Sequence, residues 1–416
     1  MAPPATETLL IHRAVPSTED DGYGKKEETF EPIDSTKTVD DKFVIATSDA
    51  ITPNENIIAE IGTDMNFKRE IVWFNAIGFL ALHLAGLAGL YIMGERLVDG
   101  VGHGCNGQTI AYFVVLTFLS GMGITMGAHR FFTHRSYKAK LWVKVALLLF
   151  HTMAGQNCLY IWVRDHRQHH KYSDTDADPH NATRGFFFSH CGWLMSKKHP
   201  KVKEYGSKID MSDMENDAWV MFQKDYYKSL YIVFTLVLPT AMPMYLWDET
   251  LINAFLCTFF ARYIVQLNFT WSVNSVAHIW GNKPYDKNIL SVESVFVSIM
   301  AGGEGWHNYH HTFPWDYRTA ELGMPFNLTT HIIDFLAKIG QVYERKTVSD
   351  TVLRARLLRT GDGSHHSLHG HHHSEPVPDP EFADLSKYIV DKKQLEESLS
   401  TKNANLDNNQ NEIKSK

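Results

Sequence analysis

Apolar residues in this chain gather into four long runs set between polar segments. The first covers 71–93 and, wound as an α-helix, is roughly 34 Å long, enough to cross the hydrocarbon core of a bilayer. A second run, 109–128, follows a short polar loop that holds Gly100, Gly102, Gly104 and Gly107. The third and fourth, 230–247 and 251–269, are parted only by Asp248, Glu249 and Thr250. The pattern predicts four transmembrane helices in two hairpins. Pro239 and Pro243 fall inside the third, where they can kink it if neighbouring groups re-satisfy the backbone.

Two weaker apolar stretches, 141–150 and 289–300, contain Lys144 and Glu293 and are too short to span. They read as interfacial or buried helices of a cytosolic cap, or as ordinary core packing. The fold class expected is therefore an all-α membrane protein with a helical cap. Residues 1–66 are rich in Asp, Glu, Thr, Ser and Pro and read as a disordered cytosolic arm. The membrane domain is expected over 67–350, and 351–416 as a polar, His-rich, mostly disordered tail.

Charge sets the orientation. Positions 129–228 carry sixteen Lys and Arg, whereas 94–108 carry only Arg96. By the positive-inside rule the middle segment, both termini and the segment after the fourth helix face the cytosol, with the hairpin tips in the lumen. The sequence MAPPATETLLIHRAVPST holds no apolar run long enough for a cleaved signal peptide, so insertion is expected to depend on the first span. A net charge of -7 and the lack of a basic domain argue against a nucleic-acid partner. Cys105, Cys158, Cys191 and Cys257 form no CxxC pair, which argues against a disulfide framework or a thiolate metal site.

The 23 histidines change the picture more. Three clusters stand out: His129 and His134 in HRFFTH, His166, His169 and His170 in HRQHH, and His307, His310 and His311 in HNYHH. All fall on the side expected to be cytosolic, so they can converge. On a helix, positions i, i+3 and i+4 share one face, so each HxxHH can point three imidazoles into one site. Positions i and i+5 lie roughly 140° apart on an α-helix. His129 and His134 are thus expected to diverge and feed two metals. Neutral imidazole suits Fe, Zn, Cu and Ni. His365, His366, His369 and His371–His373 read as a disordered tract with at most loose metal binding, and His83 and His151 as hydrogen-bonded packing residues. The sequons at Asn181, Asn268 and Asn327 are expected to be unmodified, because the topology puts them on the wrong side of the membrane.

The blocks HRFFTHRSYKA, RDHRQHHKYSDTDADPHNATRGFFFSHCGW, WSVNSVAHIWGNKPYDKNI and GEGWHNYHHTFPWDYRTAELG resemble those of the integral-membrane acyl-CoA desaturases, the stearoyl-CoA desaturase family, and insect members above all. The resemblance covers roughly 65–345. It implies a di-iron site in the cytosolic cap, held by His129, His134, His166, His169, His170, His278, His307, His310 and His311, with Asn274 bound through a water. Spacing alone does not find His278. The implied reaction puts a cis double bond into a saturated fatty acyl-CoA, at carbon 9 or another position such as carbon 11, using O2 and two electrons. No Rossmann or haem-binding motif is present, so the resemblance implies cytochrome b5 and its reductase as donors, in the endoplasmic reticulum membrane. An all-histidine ligand set leaves metal charge less compensated than Glu-rich sets do, which suits a strong oxidant.

Headgroup contacts implied by the resemblance fall on Asn75, Asn157, Arg164, Asp165, Lys197, Lys198 and Trp271. Relatives commonly have Arg at the position of Lys197, and lysine lacks its bidentate geometry. They also usually have Leu-Trp where this chain has Phe131-Phe132, a departure that bears on substrate shape. Thr117 and Gly121 either face the far end of an acyl tunnel or pack against another helix. Asp165 and Glu304 either orient imidazoles through the second ring nitrogen or serve at the surface. Rival readings are a related membrane di-iron lipid hydroxylase or acetylenase and, from another class, a metal transporter or scaffold. A transporter should place its ligands near the bilayer midplane.

Overall fold

A computed structural model describes residues 61–99 and 104–368; the remainder of the expected arm and tail lies outside the described residues. Residues 365–368 belong to a second compact unit, of which a single 3-10 turn, His366–Leu368, is described. The first unit, ending at Ser364, holds the long apolar helices and the three histidine motifs.

Among the described residues four helices are long and apolar enough to cross a membrane: α1 (Trp73–Asp99), α2 (Gly107–Thr133), α6 (Tyr227–Trp247) and α7 (Leu251–Ile279). Leu80, Leu84, Leu87 and Tyr91 of α1 and Tyr245 of α6 are exposed, as side chains meeting lipid tails should be. Helices pack closely where glycine permits it. A Cβ on Gly89 would lie 2.2 Å from the Leu256 carbonyl oxygen, and one on Gly123 would lie 2.2 Å from the His151 nitrogen. Arg262, fully buried in α7, donates to the carbonyls of Thr258, Met153 and Thr235 and to Ser120 Oγ, so one side chain joins α7 to three other elements.

The connecting segments form a layer of shorter helices beyond the spans. β1 (Lys138–Ala139) leads into α3 (Leu141–Ala154) and α4 (Leu159–Lys171), followed by α5 (Phe186–His190). After α7 come α8 (Val295–Met300), α9 (His307–Thr312), α10 (Leu328–Lys338), β2 (Val342–Tyr343) and α11 (Asp350–Thr360). The two short strands pair antiparallel, Lys138 opposite Tyr343. The stretch 141–150 is a half-buried helix, with Leu141 and Trp142 exposed and Val143, Leu147 and Leu148 in the core. Of 289–300, only its end is helical.

Two boundaries differ from expectation in ways that matter for chemistry. Both α2 and α7 run on past the apolar segments, through His129 and through Trp271, Asn274 and His278. Residues 351–360, assigned to the tail by composition, form α11, because Leu353 and Leu357 bury themselves against Tyr285, Tyr309 and Phe313.

Candidate metal centre

Four helix ends supply the site. From Gly123 to Thr133, α2 is wound as a π-helix, whose hydrogen bonds run from i to i+5. The His134 amide continues the pattern by donating to the His129 carbonyl at 3.2 Å. That winding brings residues five apart onto one side, so His129 and His134 do not diverge. Their rings sit 4.8 Å apart in one group, and the expectation that they feed two metals fails for this reason.

Nine buried histidines converge in two sets. His129, His134, His166, His170 and His310 form one, and His169, His278, His307 and His311 the other. Each HxxHH therefore divides between the sets. In α4 the i and i+4 residues His166 and His170 join the first while His169 joins the second. In α9 His307 and His311 join the second and His310 the first. The expectation that each motif points its three imidazoles into one site fails: the three are split between the two groups.

All nine aim the same atom inward. His310 Nε2 lies 2.9 Å from His129 Nε2 and 3.0 Å from His170 Nε2, and His134 Nε2 is 3.3 Å from that of His166. In the second set His307 Nε2 is 3.1 Å from His278 Nε2 and 3.0 Å from His311 Nε2, which is 3.3 Å from His169 Nε2. Carboxylates hold the opposite nitrogen of three rings: Glu304 at 2.8 Å from His129 Nδ1, Asp178 at 2.8 Å from His169 Nδ1 and Asp174 at 3.2 Å from His278 Nδ1. A ring that donates Nδ1–H to a carboxylate keeps a bare lone pair on Nε2.

Converging lone pairs repel, and one N–H cannot serve several acceptors at once. A cation among them turns that repulsion into coordination, and neutral imidazole is a donor that suits a divalent transition metal. The residues present therefore fit a metal. Burial, reinforced by neighbouring rings, drives His134, His166, His170, His307, His310 and His311 well below the ordinary value of 6.5, so their lone pairs stay free. For His169 burial works in the same direction, but Asp178 and Asp174 outweigh it and raise the ring.

Two cavities meet at this centre. The larger, about 650 Å³, runs from Lys198 and Asp165 past Asn157, Trp271 and His180 to His166. The smaller, about 180 Å³, runs from His129 and His166 to Thr117 and Gly121. Trp162, His166, Thr270 and Asn274 line both. The lining is mostly apolar toward Thr117 and polar toward Lys198, which suits a ligand with a long apolar tail and a charged head.

The model of the family described as "Fatty acid desaturase" matches residues 108–329. The chain is 53% identical over 300 residues, 72% of its length and 81% of the relative's, to an acyl-CoA Delta-9 desaturase of Acheta domesticus. The chain belongs to the fatty acid desaturase family. Over 298 residues, 71% of the chain and 83% of the relative, it is 51% identical to an acyl-CoA Delta(11) desaturase of Trichoplusia ni. An acyl-CoA Delta12-desaturase of Acheta domesticus is 49% identical over 300 residues, 72% of the chain and 82% of the relative.

Within this desaturase fold the remaining expected residues divide. Asp165 and Lys198 line the larger cavity, with Asp165 2.7 Å from Lys198 and 2.6 Å from Arg164, which stands just outside that lining. Asp165 thus serves these cations and orients no imidazole, while Glu304 does orient one. Asn157 holds a left-handed turn (φ 75°) at the start of α4 and lines the cavity, as does Trp271. Asn75 donates to the Leu194 carbonyl, and Lys197 pairs with Glu70; both lie outside the cavity lining. Asn274 stands one turn before His278 on α7. Phe131 and Phe132 pack into the cores around Leu148 and Tyr137 and line neither cavity, so that departure does not shape the cavity walls.

Sequence reasoning missed Asp174, Asp178 and His180. The last is buried, its ring 4.3 Å from that of His169 and 5.5 Å from Trp193. All three lie in one acidic block with a histidine, DTDADPH, three residues after HRQHH. That proximity was the available signal, but only the fold shows which carboxylate faces which ring.

Proposed function

We propose that this desaturase introduces a cis double bond at carbon 9 of a saturated fatty acyl-CoA, with carbon 11 as the alternative position. The observation that supports this reading is the junction of the two cavities beside His166 and His129, two of the nine converging rings. The acyl chain enters past the polar mouth, bends at the histidines and ends toward Thr117 and Gly121. Arg164 and Lys198 hold the phosphates of the head, and Asn75, Asn157, Asp165, Lys197 and Trp271 complete that region. Two iron ions, held by His129, His134, His166, His170 and His310 and by His169, His278, His307 and His311 with Asn274 through a water, would supply the oxidising power that O2 chemistry on an unactivated methylene requires.

The chain's own contribution is positional. Glu304, Asp174 and Asp178 fix three imidazoles, and the apolar wall from Phe118 to Phe269 excludes water and aligns the methylenes. The depth between mouth and junction selects the carbon. Electrons come from cytochrome b5 and its reductase on the cytosolic face, where both termini lie, in the endoplasmic reticulum membrane.

The test is expression in a desaturase-deficient yeast with double-bond localisation by mass spectrometry. New cis monoenes at carbon 9 or 11 are expected. Oxygenated acyl products instead would favour the hydroxylase reading, and an unchanged lipid profile with metal-loaded protein in the membrane would sink desaturation.

The far end of the tunnel gives a second expectation. A Cβ on Gly121 meets nothing closer than Gln266 Oε1 at 3.6 Å, so leucine there fits the backbone and projects into the smaller cavity. Each methylene it displaces forfeits about 0.8 kcal/mol of burial. Gly121→Leu should shift products toward chains shorter by two or more carbons, read from the same lipid profiles as a changed ratio of 16- to 18-carbon monoenes.

A further inference from the structure

A chain of hydrogen bonds crosses three elements beside the larger cavity. In α1, His83 Nδ1 lies 2.7 Å from the Phe79 carbonyl and takes the donor role there, leaving Nε2 as an acceptor. Asn268 of α7 donates through Nδ2 to the Ile264 carbonyl at 2.8 Å and to His83 Nε2 at 3.2 Å. Its Oδ1 accepts from His190 Nε2 of α5 at 3.1 Å, and His190 Nδ1 meets Ser275 Oγ at 2.9 Å. One amide thus joins two histidines from two other elements. Burial holds His190 below its ordinary value, against the opposing pull of its hydrogen bonds to Asn268 and the Trp271 backbone.

The indole of Trp271 lies inside this frame. Asn268, Trp271 and Ser275 share one face of α7 at intervals of three and four residues. The Trp271 ring lies 6.0 Å from that of His83 at a 24° tilt, 5.7 Å edge-on from His190 and 5.7 Å edge-on from Phe79. It is 3% exposed and lines the cavity that leads to Lys198 and Asp165. Neither His83, Asn268 nor Ser275 lines either cavity, so they touch no ligand there.

We propose that His83, Asn268 and His190 are positioning residues that fix the Trp271 indole in the cavity wall and so set how firmly acyl-CoA is held. The inference rests on the reading of this cavity as the acyl-CoA site. It gives Asn268, a sequon by pattern, the role of a structural hub, and it gives His83 a task beyond packing. A buried polar group that loses its partner costs its own desolvation, so the frame stands or falls as a unit.

The test is a double-mutant cycle on the metal-loaded, full-length protein. The readouts are Kd for stearoyl-CoA measured without reductant, and kcat with the electron donors added. Asn268→Ala and Trp271→Phe should each weaken stearoyl-CoA binding by roughly tenfold, the equivalent of one buried hydrogen bond, and Asn268→Ala, at a residue that lines neither cavity, should keep kcat within about twofold of wild type. Because the hub acts through the indole, Asn268→Ala should add no further loss in the Trp271→Phe background. His83→Phe keeps a ring beside Trp271 while removing the hydrogen bonds, and runs the same cycle without deleting the buried hub. Independent, additive losses would overturn the proposal, as would an unchanged Kd with kcat and metal content lowered together. A Trp271→Phe protein with wild-type Kd would overturn the cavity reading itself, whereas a weakened Trp271→Phe beside a wild-type Asn268→Ala removes the frame alone.

Discussion

Alanine at His310 is expected to abolish metal retention in the first histidine group and desaturation with it. His310 Nε2 touches two partners, His129 at 2.9 Å and His170 at 3.0 Å, so it stands at the middle of its set. The other four rings then lose one of the five donors of their group. The loss should exceed about 100-fold, which is what removing even a supporting partner of a metal ligand can reach. His169→Ala should do the same to the second set, where His311 Nε2 lies 3.3 Å away and Asp178 would be left buried without its imidazole. Metal content per protein, measured after gel filtration, separates this outcome from misfolding. A His310→Ala protein that keeps its full metal complement and still forms monoenes would refute the assignment of five rings to one group.

How much of this centre the sequence displays depends on what kind of regularity each part has. The spans are legible because lipid-facing and core-facing positions are both apolar, so each run is unbroken. Their inner ends are not, because His129, Trp271, Asn274 and His278 turn polar side chains into protein rather than lipid, which lowers hydropathy without ending the helix. The three His motifs are visible as spacing. Their division between two sets is not, because it depends on how α4 and α9 cross, and the π-winding before His134 has no spacing signature. His278 is a single histidine in an otherwise ordinary segment, and only the resemblance to a known family picks it out. The carboxylates behind the rings are hidden for a different reason. Asp174, Asp178 and Glu304 reach their histidines from across the fold or a turn away, and the chain contains many acidic residues that do nothing of the kind. The pairing of Asp165 with Arg164 and Lys198 shows how easily the wrong one is chosen.

Glu304→Ala is expected to destabilise the protein by about 3–5 kcal/mol, the usual result of removing one partner from a buried ion pair. Its carboxylate receives Arg130 through Nε at 2.9 Å and through the terminal nitrogen at 2.8 Å, and it holds His129 Nδ1 on its other oxygen. The Arg130 side chain is fully buried. Arg130 keeps carbonyl and hydroxyl partners at Tyr317, Arg318 and Thr330, but among the described residues no other carboxylate pairs with it. Glutamine preserves the shape and one acceptor, so Glu304→Gln should lose less stability than alanine while still weakening metal retention through a less firmly held His129. Burial alone would raise the Glu304 carboxyl, but the charges of Arg130 and His129 and their hydrogen bonds pull it below its ordinary value of 4.5. A carboxylate depressed in the folded state binds fewer protons there than in the unfolded chain. Its stabilisation is therefore complete above about pH 4.5 and is lost as pH falls through the lowered value. Thermal unfolding in detergent should show wild type losing stability below pH 4.5 more steeply than Glu304→Gln, whose amide does not titrate in this range. Equal acid slopes for the two proteins, or a Glu304→Ala protein as stable as wild type, would show that Glu304 does not carry the pairing that joins the first histidine to the fold.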